Sequence, residues 1–306
     1  MKVLIGVDGS SGSFGAIRLA SRIVSGDDRV ALYYTPPEMR HPSSSDADPE
    51  VLERARKALA DSVFEEARNR LPDALKTSLK TIVGTKPPRQ GVLLAAEDWR
   101  AELIVLGARG SAPLGDVRLG SVATAVAHTS RIPVLIARTA DEPAAHGPFK
   151  VLLTHDGSPA SQQCAELLGA FHWPPQTVGR SMTVVESLYA GKLPDWLEQQ
   201  ARDAQTEAMA EAWQREHEEE KRRKRAELER CCQSLPTPFR QPPIVAEGYP
   251  AEEILRVITD DAVDLVVLGK HGRGMLERLL FLGSTSDKVL SQAPCSVLMV
   301  PQRERP

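Results

Sequence analysis

The sequence predicts an α/β chain made of two doubly wound domains in tandem, and three observations carry that reading. Short apolar runs alternate with helical periods, the mark of parallel βαβ units whose sheet is covered on both faces. The 306 residues exceed the roughly 150 of an average domain. The first half also recurs in the second, in three places and in the same order. Lys2-Val-Leu-Ile-Gly-Val-Asp-Gly-Ser10 returns as Lys150-Val-Leu-Leu-Thr-His-Asp-Gly-Ser158. Ala101-Glu-Leu-Ile-Val-Leu-Gly-Ala-Arg-Gly110 returns as Val263-Asp-Leu-Val-Val-Leu-Gly-Lys-His-Gly272, and Arg131-Ile-Pro-Val-Leu-Ile-Ala137 as Ala293-Pro-Cys-Ser-Val-Leu-Met-Val300. The domains are expected at 1–138 and 149–306, joined by a linker over 139–148 that is rich in Ala, Pro and Gly.

Each element of the first half has its own signal. Val3–Val7 reads as a buried strand, and Phe14, Ile17, Ala20 and Val24 mark one face of the helix after it. Val30–Tyr34 is the second strand; Leu52, Ala55, Leu59, Val63 and Ala67 then recur at helical spacing. Leu79–Val83, Leu103–Leu106 and Val134–Ala137 complete five strands, with helices over Val92–Ala96 and Val122–His128 between them. The second half repeats the order, with strands near 151–154, 182–185, 243–246, 265–268 and 297–300.

The second half departs from the first in one segment. A long helix is expected over about 195–232, with Glu218–Arg222, Glu219–Arg223 and Glu220–Lys224 as i,i+4 pairs. Its charge pattern predicts a solvated face, with Trp196, Met209 and Trp213 as the anchors of a rival partner-binding reading.

Composition removes several classes. Hydrophobic residues at 42% and charged residues at 26% are ordinary for a globular chain. No apolar run reaches the roughly 18 residues of a membrane span, so no membrane is expected. A net charge of −3, without a basic excess in either half, argues against nucleic acid. Cysteines at 164, 231, 232 and 295 have neither zinc nor disulfide-framework spacing, which points to a reducing cytoplasm.

Ligands of open parallel sheets lie at the carboxyl ends of the strands. Asp8 and Asp156 stand there, each in Asp-Gly-Ser, able to meet a ribose hydroxyl or a metal near phosphates. The same residues serve equally well to cap the next helix. The fourth strand runs into a glycine-rich loop, Gly107-x2-Gly110-x9-Gly120-Ser121, which opens a helix. Backbone N–H groups there can approach an anion, and the helix dipole favours phosphate. Arg109 and Arg118 add positive charge. In the second half Gly269 and Gly272 are followed by ten residues, not nine, before Gly283-Ser284, and His155 replaces Val7. No Gly-x4-Gly-Lys-Ser/Thr loop, Gly-x-Gly-x-x-Gly fingerprint, nucleophile elbow or His-Glu-x-x-His pair is present.

Asp-Gly-Ser, this loop and the closing Pro-Val-Leu-Ile strand, in that order, resemble the universal stress protein family, twice over the whole chain. The resemblance implies a Rossmann-like, adenine nucleotide alpha hydrolase-like sheet of order 3-2-1-4-5 in each domain, and ATP, ADP or AMP as ligand. Carried over, Val7, Asp8, Tyr33, Leu106, Gly107, Arg109, Gly110, Gly120, Ser121 and Val122 hold nucleotide, with Mg²⁺ at Asp8. Asp156, Leu268, Gly269, Gly272, Gly283, Ser284 and Thr285 form a second site, whose altered spacing places the nucleotide mainly in the first. The implied role is a regulatory module in the stress response. A slow Mg-dependent ATPase or adenylate-processing enzyme and a nucleotide-free scaffold stay open as alternatives. The closing strands of the halves, apolar and risky if unpaired, are expected to pair inside one chain as an internal pseudo-dimer, with a homodimer as a further assembly.

Overall fold

A computed structural model describes residues 1–37, 49–110, 119–138, 147–186, 204–270 and 283–302. The first unit begins with β1 (Lys2–Gly6), whose Val3, Leu4 and Ile5 are wholly inaccessible. Gly9 turns the chain at φ 79°, a left-handed value that suits glycine. Helix α1 (Ser11–Ile23) then starts on Ser10, whose Oγ accepts from Ser13 N. After β2 (Arg29–Tyr34) come α2 (Pro49–Asn69), the short α3 (Asp73–Lys76) and β3 (Lys80–Val83). Helix α4 (Pro88–Trp99), β4 (Leu103–Gly107), α5 (Ser121–Thr129) and β5 (Val134–Ala137) close the unit's own repeat.

The strands lie in the order β3-β2-β1-β4-β5, all parallel, with Gly6 opposite Tyr33 and Ile5 opposite Val105. This is the expected 3-2-1-4-5 sheet. Strands buried on both faces explain why its central members read as unbroken apolar runs rather than alternating ones. Strand ends differ from the expected bounds by a residue or so, and α3 went unforeseen because four residues carry no periodicity.

The second unit repeats the plan: β6 (Phe149–Thr154), α6 (Pro159–Ala170), β7 (Thr177–Glu186), α7 (Ala204–Ser234), β8 (Ile244–Gly248), α8 (Pro250–Asp260), β9 (Leu265–Gly269) and α9 (Ser284–Gln292). Its strands run β8-β7-β6-β9, all parallel. Strand β7 has 10 residues against the four expected, because Thr177–Ser181 alternate with polar positions that hide the strand in the sequence.

The last strand, β10 (Ser296–Val300), groups by contact with the first unit. By contact the first unit comprises Met1–Gly147, Ala170–Pro175 and Cys295–Pro301, and the second Pro148–Gly169 with Gln176–Pro294. The reason is antiparallel pairing: Val297, Leu298 and Met299 face Ile136, Leu135 and Val134 of β5. Arg138 N also donates to Ser296 Oγ at 3.1 Å. The two closing strands thus pair, and the apolar edge of β5 is covered.

Helix α7 has the expected solvated face, with Glu218, Glu219, Arg222 and Arg223 exposed, and beside it a second face that docks. Its part before residue 204, with Trp196, lies outside the described residues, as does the side chain of Met209. Within the described part, Leu228 is fully buried, and a half-buried stripe of Trp213, His217, Lys221 and Lys224 runs towards it. The spacing of three to four residues is that of one helix face. Glu247 on β8 anchors the stripe: His217 Nε2 lies 3.0 Å from its Oε2, and Lys221 Nζ is bonded to its Oε1. Those two bonds, Lys221 first, hold the Glu247 carboxyl below the usual range. Trp213 stacks on His217 with ring centroids 5.5 Å apart. The helix's own ion pairs are Lys221–Glu218 and Arg223–Glu220, both i,i+3, in place of the expected i,i+4 set. A charged sequence conceals this docking face because its contacts are ionic rather than apolar. Beyond the helix, Phe239 packs where Gly179 of β7 leaves room for its ring.

A deletion of residues 214–225 is therefore expected to damage the second unit. Twelve residues turn the remainder by about a third of a revolution, which carries Leu228 out of the core. Glu247 loses both partners, His217 and Lys221. The expected cost is on the order of 3–5 kcal/mol, read as a lower thermal or urea midpoint. An unchanged midpoint would restore the solvated reading.

Candidate functional site

At the carboxyl ends of β1, β2 and β4 lies a cavity of about 320 Å³. All ten first-half residues selected from the sequence line it: Val7, Asp8, Tyr33, Leu106, Gly107, Arg109, Gly110, Gly120, Ser121 and Val122. Arg118 lies outside the described residues.

The local structure gives these residues distinct duties. Asp8 Oδ1 accepts from the Ser10 N–H at 3.0 Å and from its hydroxyl, so that oxygen braces the start of α1. The helix-capping role of Asp-Gly-Ser is therefore real, and it leaves Oδ2 as the oxygen nearest Gly110. A Cβ on Gly110 would overlap that Oδ2. Gly107 has a packing reason that the sequence did not show. A Cβ there would lie 2.5 Å from Gly12 C and 2.9 Å from Ser13 N, so glycine lets α1 sit against β4. Gly120 closes the loop, its N–H donating to the Ala108 carbonyl at 2.7 Å. Helix α5 then starts with no side-chain cap, leaving the N–H groups around Ser121 available at the positive end of the dipole.

Tyr33 forms a wall fixed on several sides. Its hydroxyl and Thr35 Oγ1 are 2.7 Å apart, and Gly84 and Gly91 leave the space its phenol fills. Burial, the larger cause, raises its pKa against the lowering bond from Thr35. Sequence reasoning missed Gly6, Ser13, Tyr34, Thr35, Pro88, Val92 and Ala123, which complete the lining. Pro88 and Val92 were findable, since the helix after β3 of a doubly wound sheet starts at this end.

The second unit has a matching cavity of about 330 Å³. Asp156, Leu268, Gly269, Gly283, Ser284 and Thr285 line it, as selected, whereas Gly272 lies outside the described residues. The turn is the same: Gly157 has φ 78°, and Asp156 Oδ1 accepts from Ser158 N at 2.9 Å. Gly269 again admits a helix, since a Cβ there would lie 3.0 Å from Ala160 Cβ. The walls differ. Thr154 pairs with Met182 as Gly6 pairs with Tyr33, so methionine stands in the tyrosine's place. Thr183, Glu186 and Lys224, none of them foreseen, make this cavity more polar.

Lys270, where the second loop begins, is 5% exposed, and lost hydration lowers its pKa from 10.5 to about 8. With the folded value below the unfolded one, the unfolded chain binds more protons between those pH values, and stability rises with pH across the window. Lys270→Met is expected to remove that rise and to stabilise the second unit at pH 7 by on the order of 3 kcal/mol. Melting curves of both proteins from pH 7 to 10 check this; parallel curves would refute it.

Among the described residues no three His, Cys, Asp or Glu side chains gather to hold a metal ion. An Mg²⁺ at Asp8 would take most of its coordination from phosphate and water oxygens, and no step is routed through it. No helix among the described residues is long and apolar enough to cross a membrane.

Comparison with known proteins follows the repeat. The model of the universal stress protein family matches residues 1–138 and 149–301. A universal stress protein of Mycolicibacterium smegmatis is 28% identical over 98% of this chain and 97% of its own. One of Thermus aquaticus is 33% identical over 49% of this chain and 96% of its own. Among solved structures, a universal stress protein from Archaeoglobus fulgidus superposes with a TM-score of 0.61 at 18% identity, covering 99% of this chain and 98% of that one.

Proposed function

This chain belongs to the universal stress protein family, and on that footing we propose that it is a regulatory module of the stress response that binds ATP, chiefly in the first unit. One observation carries the reading: ten residues chosen from the sequence line a single cavity at the carboxyl ends of three strands. In this reading the phosphates lie on the N–H groups at the start of α5, with Arg109 beside them. Asp8 Oδ2 meets the ribose, and Tyr33, Pro88 and Val92 flank the adenine. The volume, about 320 Å³, is at the lower end of small-ligand sites. Among the described residues of the lining no nucleophile stands activated by a base, which favours conformation or choice of partner as the output.

The test is to denature the purified protein and identify any released nucleotide, then to titrate the nucleotide-free chain with ATP. One tight ATP site per chain is the expected result. Two equal, independent ATP sites, or none, would overturn the proposal.

A further inference from the structure

We propose that the second cavity is a nucleotide site of different specificity, selecting a base with a keto oxygen beside a ring N–H, guanine foremost, through Lys224 and Glu186. The proposal rests on the reading that cavities of this fold take nucleotides, and it adds which base the second one takes.

Lys224 comes from α7, whose 31 residues exceed the 21 of α2, the helix in the same place of the first unit. Leu228 and the Glu247 contacts hold that helix against β7 and β8. Lys224 Nζ thereby reaches the carboxyl end of β7, where it donates to the Val184 carbonyl at 3.1 Å and lines the cavity. An ammonium has three hydrogens and accepts nothing, so two donors remain for a ligand. Glu186 lines the same cavity. It is two positions along the strand from Val184, which places both on one face. A carboxylate only accepts. Lys224 and Glu186 form no ion pair with each other, so a donor and an acceptor face the same space.

That pair matches one kind of base edge. Guanine offers O6 as acceptor and N1–H and N2–H₂ as donors; uracil offers O4 and N3–H. Adenine offers the reverse, an amino donor beside an acceptor nitrogen, and would set its amino group against the ammonium. A donor facing a donor in a partly desolvated pocket discriminates more sharply than a missing contact. In the first cavity the cation and the carboxylate, Arg109 and Asp8, come from the loop after β4 and the end of β1, while Tyr33, Tyr34 and Thr35 occupy the end of the second strand.

The experiment is calorimetric titration of the full chain with ATP, GTP and UTP. It uses wild type, Gly110→Val to block the first cavity, and Gly110→Val combined with Lys224→Met or with Glu186→Gln. In Gly110→Val, GTP or UTP is expected to bind at least tenfold more tightly than ATP. Lys224→Met should abolish that preference, and Glu186→Gln, at an exposed strand end, should weaken GTP without disturbing the fold. ATP binding as tight as GTP and UTP in Gly110→Val, absence of any binding there, or a preference untouched in both double variants would overturn the proposal. The ATP titration of wild type reads the first cavity separately, so a failure there is not confused with a failure here.

Discussion

Gly110→Val is expected to weaken ATP binding at least a hundredfold while the chain stays folded. The new Cβ overlaps the Asp8 carboxylate, and the valine branches enter the cavity that Arg109 and Ser121 line. The clash falls on a side chain at a cavity wall, so the core is spared. Gly107→Val should behave in the opposite way. Its Cβ meets the backbone of Gly12 and Ser13, 2.5 to 2.9 Å away, and relief requires lifting α1 from β4. Overpacking of that kind costs on the order of 1–3 kcal/mol, so this variant should lose stability together with binding. Thermal melting with and without ATP separates the cases, because a ligand that binds the native state raises the melting temperature. A Gly110→Val protein stabilised by ATP as strongly as wild type would remove the first cavity from consideration.

Residues 1–138 expressed alone are expected to dimerise or aggregate. They keep β5 but lose β10, and with it the antiparallel pairing of Val134, Leu135 and Ile136. All four residues of β5 are buried in the intact chain. Exposed, they would present an apolar strand edge with unpaired N–H and C=O groups, which pairs readily with another copy. Sedimentation at tens of micromolar should show species of twice the monomer mass or larger. A well-folded monomer would mean that β10 is dispensable to the first unit.

The repeat, the alternation of strand and helix and the loop spacing are all local or periodic, and the sequence alone determined them. It thereby determined the fold class, the sheet and part of the lining of both cavities, ten residues in the first and six in the second. Gly107 and Gly110 were legible as glycines, but not their separate duties. Only the folded chain shows that α1 approaches one and the Asp8 carboxylate the other. The tertiary structure alone decided the fate of α7. Its docking stripe of His217, Lys221 and Lys224 reads as solvent-facing until Glu247, on a strand far along the chain, supplies the opposite charge. It also decided the antiparallel direction and register in which β5 meets β10, since strand pairing is a contact between distant segments and leaves no periodic trace in either.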